Sequence, residues 1–200
     1  MISGITGTNS SGKETVAEYL KNKDFEHFSL SDELRIIAKE RKIEPTRDNL
    51  IALGKEVRKR YGTGYLAERV IKKIKRKAVV SSIRNLGEIE RLKKERGFIL
   101  LAIDAKPEIR FKRAKKRNRL GEARTLKEFL AKEKRENSQE SFAQQLALCL
   151  KKADYKINNS GTLKELYEKI EKIFKKAVSK KTCLKKAIIK KAYPKKTIMG

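Results

Sequence analysis

The first fifteen residues, MISGITGTNSSGKET, decide the fold that the rest of the chain has to fit. Residues 1–6 form a short, mostly apolar run of the kind that a buried parallel strand needs, and apolar residues recur at helical spacing from Val16 to Leu20. The intervening loop, 7–13, has glycines five positions apart and ends in lysine. Such a loop between a strand and a helix surrounds a phosphate group with backbone N–H groups. The opening segment therefore predicts a nucleotide phosphate site.

The predicted phosphate ligands are the loop and the start of the helix that follows it. They are Gly7, Asn9, Ser10, Ser11, Gly12, Lys13, Glu14 and Thr15. We expect the lysine to reach the β- and γ-phosphates. In the common form of this loop the residue directly after the lysine supplies a hydroxyl to magnesium, whereas here the hydroxyl comes one residue later.

The rest of the chain alternates between strand and helix patterns. Apolar runs predict further strands at about 26–30, 78–83, 98–104 and 155–158. Helices are predicted between them, with Ser31 or Asp32, Asp48 and Thr125 as N-caps, and with later helices over 139–151 and 162–176. This alternation predicts an α/β fold, a doubly wound parallel sheet of about five strands with crossover helices.

The net charge of +27 is spread over two regions. Residues 175–200 contain ten lysines and no acid, which leaves +17 for the remaining residues. The lysines come in pairs every five residues, a period that spirals around a helix and gives no single apolar face. We expect a mobile basic tail that either binds nucleic acid or anionic surfaces through counterion release, or only solvates the protein.

Cysteine, histidine and hydropathy patterns add three expectations. Cys149 and Cys183 are 34 positions apart, and the second lies in the basic tail, so neither a disulfide framework nor a metal site is indicated. The single histidine, His27, fits a strand better than a catalytic role. No apolar run approaches membrane-spanning length, and a cytoplasmic location is expected.

A family resemblance covers residues 1–174. Gly12-Lys13-Glu14-Thr15 resembles the nucleoside and deoxynucleoside monophosphate kinases, and six further blocks, in order, are similar to an uncharacterised archaeal adenylate-kinase-like family. The same blocks resemble the kinase-like domain of eukaryotic deoxycytidylate deaminases and, more distantly, dephospho-coenzyme A kinases. The blocks begin at Phe28, Arg47, Tyr61, Ser82, Ala102 and Ala153. The resemblance implies a P-loop kinase domain with a helical lid at about 112–137, followed by the tail.

This resemblance also implies roles for residues outside the loop. Asp32 and Arg35 would line the acceptor site, Arg84 would hold the acceptor phosphate, and Asn158 and Asn159 would pack near the donor adenine. The lid arginines would be Arg110, Arg113, Arg117 and Arg135, and magnesium would be held by Thr15 and Asp104. ATP and Mg²⁺ are the implied cofactors. Each role has a simpler alternative, since a run of arginines and lysines also forms an ordinary solvated face, and Asp32 also fits a helix N-cap.

The sequence departs from those families at Ser81, where they place an acid that helps hold magnesium. This departure leaves weak catalysis, a substitute such as Asp104, or a binding-only protein as alternatives. A site rich in arginine and poor in carboxylates favours a phosphate acceptor, because a hydroxyl acceptor needs a general base. We therefore expect an ATP-dependent nucleoside or deoxynucleoside monophosphate kinase. The alternatives are a dephospho-coenzyme A kinase-like enzyme and a catalytically weak nucleotide- or nucleic-acid-binding protein.

Overall fold

The structure, a computed structural model, describes residues 1–117 and 123–192; side chains are described up to residue 177, apart from that of residue 136. Five strands alternate with nine helices in this part of the chain. The strands are β1 (Ile2–Gly7), β2 (Glu26–Ser29), β3 (Ala78–Ser81), β4 (Ile99–Asp104) and β5 (Tyr155–Asn158). The helices are α1 (Lys13–Lys21), α2 (Leu30–Glu40), α3 (Arg47–Tyr61), α4 (Tyr65–Ile71), α5 (Leu86–Lys93), α6 (Pro107–Arg117), α7 (Leu126–Glu136), α8 (Leu146–Lys152) and α9 (Leu163–Ala192).

The five strands form one parallel sheet in the order β2-β3-β1-β4-β5. β1 lies at the centre and pairs with both β3 and β4, so its carboxyl end is flanked by the ends of those strands. The central strands are apolar and fully covered, as parallel strands must be when helices lie on both faces. This arrangement confirms the predicted doubly wound α/β sheet.

Helices cover the two faces of the sheet with separate apolar cores. One core joins α1 and α9 to the sheet through residues such as Ile5, Leu101 and Leu166. The other joins α2, α3, α4, α5 and α8 to the opposite face through residues such as Val80 and Leu100. A third, small cluster around Phe129 packs α6 against α7. α6 and α7, which fall within the predicted lid, therefore have their own packing, apart from the sheet.

Several predicted helix ends are wrong, for identifiable reasons. α3 begins earlier than predicted, because Thr46 rather than Asp48 is the N-cap and accepts a hydrogen bond from the Asn49 N–H. The N-cap of α2 is Ser29, since the chain turns directly from β2 into the helix. Thr125 caps α7 as predicted, accepting from the Glu128 N–H at 3.2 Å. The arginine-rich run after Pro107 also predicts a helix break near Gly121, a position outside the described residues.

The segment predicted as one helix from residue 139 forms bends and turns up to Gln145, and α8 begins only at Leu146. The backbone of this segment forms long-range hydrogen bonds instead of helical ones, since the Gln145 N–H donates to the Arg84 carbonyl at 2.7 Å. The Asn85 side chain donates to the carbonyls of Ser141 and Ala143. These long-range bonds replace helical ones, so residues 138–145, which we call the return segment, dock beside the end of β3.

The start of the basic tail differs from the prediction. α9 continues from Leu163 to Ala192, and Ala177 is 5% exposed within the core beside α1. Once a helix is nucleated, each further residue adds at a low free-energy cost. This explains why α9 continues through the lysine pairs although they give it no continuous apolar face. Residues 193–200 lie outside the described residues. Within the described part, no helix is long and apolar enough to cross a membrane.

Candidate active site

The phosphate loop joins the central strand to α1 through strained glycines. Gly12 has φ 98°, and a Cβ there would come within 2.2 Å of the Asn159 side-chain nitrogen. At Gly7, where φ is 153°, a Cβ would lie 2.1 Å from the Ile103 carbonyl oxygen. Only glycine tolerates both the backbone angle and this close approach. The loop therefore lies tightly against the ends of β4 and β5, with α1 starting at Lys13.

Unpartnered buried polar atoms surround this loop. The Ser10 and Ser11 hydroxyls and one guanidinium nitrogen of Arg113 are buried without a hydrogen-bond partner. Buried polar groups are nearly always paired in folded proteins, so each orphan requires an explanation. Two hydroxyl groups and a guanidinium, together with a helix N-terminus, provide the donors that a phosphate needs.

Lys13 is buried under the loop, with 8% of its surface exposed, and its Nζ donates to the Thr8 carbonyl at 2.6 Å. Burial and the positive charges of Arg84 and Arg117 lower its pKa to about 7, against the opposing charges of Glu14 and Glu133. Because burial disfavours the charged form of Lys13, an anion bound nearby would stabilise its ammonium group. The Glu14 side chain itself is exposed to solvent.

Asp104 ends β4 directly beside the loop. Its Oδ1 accepts from the Thr8 hydroxyl at 2.5 Å and from the Ala105 N–H at 2.8 Å. The described residues contain no group of three or more side chains able to hold a metal. Mg²⁺ usually keeps several waters and takes one or two protein oxygens plus substrate phosphates, so Asp104 and the half-buried Thr15 fit such an ion.

Arg84 follows β3 and meets the phosphate loop across a small cavity. The cavity measures only about 10 Å³ and is lined by Gly7, Asn9, Arg84, Glu133, Asn137 and Leu146. The Arg84 guanidinium donates to the Gln144 amide oxygen of the return segment at 2.8 Å. The phosphate loop and Arg84, the arginine predicted to hold the acceptor phosphate, therefore line the same cavity. A larger surface groove, of about 530 Å³ between α1 and α9, contains none of these residues.

A buried network fixes the backbone at Arg84. Glu88 is fully buried, and one of its oxygens accepts from the N–H groups of Arg84 and Asn85 at 2.8 and 3.1 Å. Its other oxygen accepts from Arg58 at 2.8 and 3.0 Å, and the Arg58 side chain is 4% exposed. The Gln145 N–H holds the Arg84 carbonyl from the other side. Both backbone polar groups of Arg84 are therefore constrained.

The arginines of α6 reach the donor side of the site. Arg110 pairs with Glu133 and donates to the Ala105 carbonyl at 2.9 Å, while Arg113 donates to the Asn159 carbonyl at 3.0 Å. Arg117 donates to the Asn9 side chain at 3.4 Å. By contrast, Arg135 is exposed on α7, and no described contact joins it to the loop.

Asn159 contacts the phosphate loop, whereas Asp32 and Arg35, predicted to line the acceptor site, contact each other on α2. The Asn159 amide donates to the Ser11 carbonyl at 2.8 Å, so it holds the phosphate loop itself. Asn158 is exposed and caps the following turn. Asp32 and Arg35 pair with each other at 2.8 Å on the exposed face of α2, and no described contact joins either one to the phosphate loop.

Ser81 is fully buried, and its hydroxyl lies 2.9 Å from His27 Nε2 on the neighbouring strand. The position that carries an acid in the resembling families is thus filled by a hydrogen-bonded serine–histidine pair. His27 is a sheet histidine, as the sequence suggested. The carboxylates that the structure does bring to the loop are Asp104 and Glu133.

Sequence reasoning missed Glu133, Gln144 and the Arg58–Glu88 pair. Glu133 is on α7, more than 120 residues from the loop it contacts, and nothing in its neighbourhood distinguishes it from the other acids of that helix. Glu88 had a usable signal, since an acid three positions after Asn85 fits a capping box, which the structure contains.

Comparisons with known proteins identify the family of the chain and its fold. Residues 6–130 match a family described as the AAA domain. The UPF0200 protein of Staphylothermus marinus is 31% identical over 88% of this chain and 92% of its own length. The UPF0200 protein of Pyrococcus horikoshii is 32% identical over 90% of this chain and 98% of its own. The chain spans 54% of a longer relative, the UPF0200/UPF0201 protein of Archaeoglobus fulgidus, at 33% identity.

Solved structures show the same fold at low identity. The protein TT1252 from Thermus thermophilus has a TM-score of 0.55 and 23% identity, covering 88% of this chain and 97% of that one. Shikimate kinase from Bacteroides thetaiotaomicron has a TM-score of 0.56 and 11% identity, covering 88% and 98%. The fold is thus that of P-loop kinases. With its matches to archaeal relatives over nearly their whole length, the chain belongs to the UPF0200 family and contains an AAA domain.

Proposed function

We propose that the protein transfers the γ-phosphoryl group of ATP to a nucleoside or deoxynucleoside monophosphate. The observation that carries this proposal is the shared cavity, in which the phosphate loop faces the Arg84 side chain. Phosphoryl transfer requires a donor phosphate and an acceptor held in line with their charges neutralised. Guanidinium groups suit a phosphate acceptor because they bind its oxygens in a bidentate fashion.

The residues divide the work between donor and acceptor. Lys13, the loop N–H groups and the orphan hydroxyls of Ser10 and Ser11 would hold the donor phosphates, and Arg113 and Arg117 would neutralise charge on the lid side. Arg84 would align the acceptor phosphate. Magnesium, held by Thr15, Asp104 and water, would offset the charge of the phosphates when bound.

The arrangement of carboxylates favours a phosphate acceptor over a hydroxyl acceptor. A hydroxyl group needs a general base within hydrogen-bond reach, whereas a phosphate oxygen is already an anion. Asp104 is bonded to Thr8, Asp32 is paired with Arg35 and is not among the residues that line the cavity, and Glu133 is paired with Arg110. A dephospho-coenzyme A kinase-like or other hydroxyl-directed activity is therefore the second candidate.

Matched acceptors test this choice directly. Purified protein with Mg-ATP is given each nucleoside alongside its monophosphate, plus dephospho-coenzyme A and shikimate, and product formation is followed by chromatography. We expect phosphorylation of one or more monophosphates and none of the matched nucleosides. The Lys13→Ala variant is the control. If no acceptor is phosphorylated above that control, the enzyme proposal is wrong.

The Ser81–His27 pair supports a third candidate, a nucleotide-binding protein with weak catalysis. Replacing the missing acid by Ser81→Asp tests it, with Ser82→Asp as the matched control one residue further along. A gain in phosphoryl transfer restricted to Ser81→Asp would favour this candidate. Full activity of the natural protein would reject it.

A further inference from the structure

The lid places a carboxylate on the phosphate loop. Glu133, from α7, has a side chain that is 17% exposed, and its Oε1 accepts from the Asn9 N–H at 3.1 Å. The same oxygen is paired with the Arg110 guanidinium. Asn9 is the third residue of the loop, so one of the loop's backbone donors is already taken by an acid of the protein.

The surroundings of Glu133 are those that a phosphate oxygen requires. Arg110 is 5% exposed and donates to it, and the charge of Glu133 also acts on Lys13, opposing the fall of the lysine pKa. A backbone N–H and a guanidinium thus bind one anionic oxygen, and the Lys13 ammonium group is near enough to sense its charge. Charge-assisted hydrogen bonds of this kind are about twice as strong as neutral ones.

The space beside Glu133 leaves no room for a second anion. The cavity of about 10 Å³ has roughly the volume that one water molecule needs. Among the residues that the structure describes, Glu133 is the one acidic side chain in the lining, which also contains the loop residues Gly7 and Asn9. A phosphate group therefore enters only if the Glu133 carboxylate leaves.

We infer that Glu133 is an affinity-determining residue of the donor site, because its carboxylate takes the place of a phosphate oxygen and has to be displaced when the nucleotide binds. This inference rests on the proposed nucleotide binding. Displacement frees the Asn9 N–H and Arg110 for the nucleotide, and it moves the lid helix that carries Glu133. An anion therefore binds the loop only if its own contacts are stronger than those that the Glu133 carboxylate loses.

Calorimetric titration with Mg-ADP and with inorganic pyrophosphate tests this inference. Glu133→Gln removes the charge, and Glu133→Ala removes the whole carboxylate. Each variant should lower the Kd for Mg-ADP and for pyrophosphate about tenfold, since the ligand no longer competes with a charge-assisted hydrogen bond. The matched control is Glu128→Gln on the same helix. Glu128 pairs with Lys132 rather than with the loop, and its removal should leave the Kd unchanged.

A reporter on the lid gives a second measurement. The chain has no tryptophan, so Leu130→Trp, at a position that is 39% exposed on α7, provides a single emitting group. Addition of Mg-ADP should change its emission when Glu133 is present, as the helix moves away from the loop. The change should be smaller in Leu130→Trp combined with Glu133→Ala.

The outcomes separate this inference from the proposed function. If the natural protein binds Mg-ADP and both Glu133 variants bind it equally or more weakly, the inference is wrong and the proposed function stands. If neither the natural protein nor the variants bind Mg-ADP or pyrophosphate, the proposed function fails and the inference fails with it. If both Glu133 variants bind Mg-ADP more tightly than the natural protein does, and Glu128→Gln does not, the inference and the proposed function are both supported.

Discussion

The two sides of the cavity are held in different ways. On the acceptor side, the loop after β3 is fixed by the Arg58–Glu88 ion pair, with both side chains less than 5% exposed, and by bonds to the return segment. On the donor side, the phosphate loop is held by the Asn159 amide but is covered by Asp104 and Glu133, which are partly open to solvent. Polar atoms around it remain unpaired.

This difference indicates which side is preorganised. Every described backbone polar group of Arg84 has a partner, so an acceptor phosphate meets a guanidinium whose attachment is already fixed. The donor side has unused hydroxyls and a lid carboxylate that takes one of its donors. The structure therefore combines a fixed backbone at Arg84, the proposed acceptor anchor, with a phosphate loop whose polar groups are only partly paired.

The largest effect is expected from breaking the buried pair. Glu88→Gln leaves the Arg58 charge buried without a counter-charge, and loss of one partner of a buried pair costs about 3–5 kcal/mol of unfolding free energy. Urea denaturation measures this loss. The exposed pair Arg41–Glu56 provides the control, since Glu56→Gln should cost less than about 1 kcal/mol. Equal losses for the two variants would show that the network does not fix the acceptor side.

Removing the anchor itself should affect turnover with little effect on folding. Arg84→Ala is expected to reduce kcat/KM for the monophosphate acceptor about a hundredfold, the usual effect of losing one preorganised charge contact to a transferring group. The KM for ATP should stay nearly constant. Arg60→Ala, at an exposed position of α3, is the control. A large rise in the ATP KM with an unchanged acceptor KM would reverse the assignment of the two sides.

The donor side should respond to pH through Lys13. Its pKa is lowered to about 7, mainly by burial and then by Arg84, so the folded protein holds this proton less tightly than the unfolded chain does. The unfolding free energy should therefore rise between pH 7 and the ordinary lysine pKa of 10.5, as the buried charge is lost. Nucleotide binding should show the opposite trend, because a phosphate stabilises the ammonium form.

Proton uptake measures this coupling. At pH 8.5 the binding of Mg-ADP should take up close to one proton, and its Kd should rise about tenfold per pH unit above 7. Titrations in buffers of different ionisation enthalpy give the number of protons. Lys13→Met should bind without uptake. Uptake that persists in Lys13→Met would assign the proton to another group.

The smallest effect on activity is expected from the tail. Because Ala177 is packed in the core, the chain should be shortened after residue 177 and not at the boundary of 174 predicted from sequence. Deleting 178–200 should leave kcat and the unfolding midpoint unchanged while abolishing any salt-sensitive binding to DNA or RNA. Shortening after residue 174 is the comparison and should lower stability. If nucleic-acid binding survives both deletions, the binding surface lies within residues 1–174.

Much of the sheet and part of the site could be predicted from sequence, because they depend on local patterns. The glycine spacing of the loop and the apolar runs of β3 and β4 are readable within ten residues. They set the sheet edge at which Asp104 ends β4, while Arg84 and Asn159 follow β3 and β5. What could not be predicted depends on contacts between distant segments. Thr46 replaces Asp48 as a cap through local geometry alone, but Glu133 and Gln144 acquire their roles only when the lid and the return segment fold back.

The packing of the lid has an entropic consequence. In the described part of the chain, α7 is already helical and its Phe129 is 2% exposed against α6. Ordering a residue costs about 1–2 kcal/mol of backbone entropy, a cost that folding has already met for this helix. In the nucleotide binding that we propose, α7 is therefore already ordered, and the exchange of ionic contacts at Glu133 needs no folding of this helix.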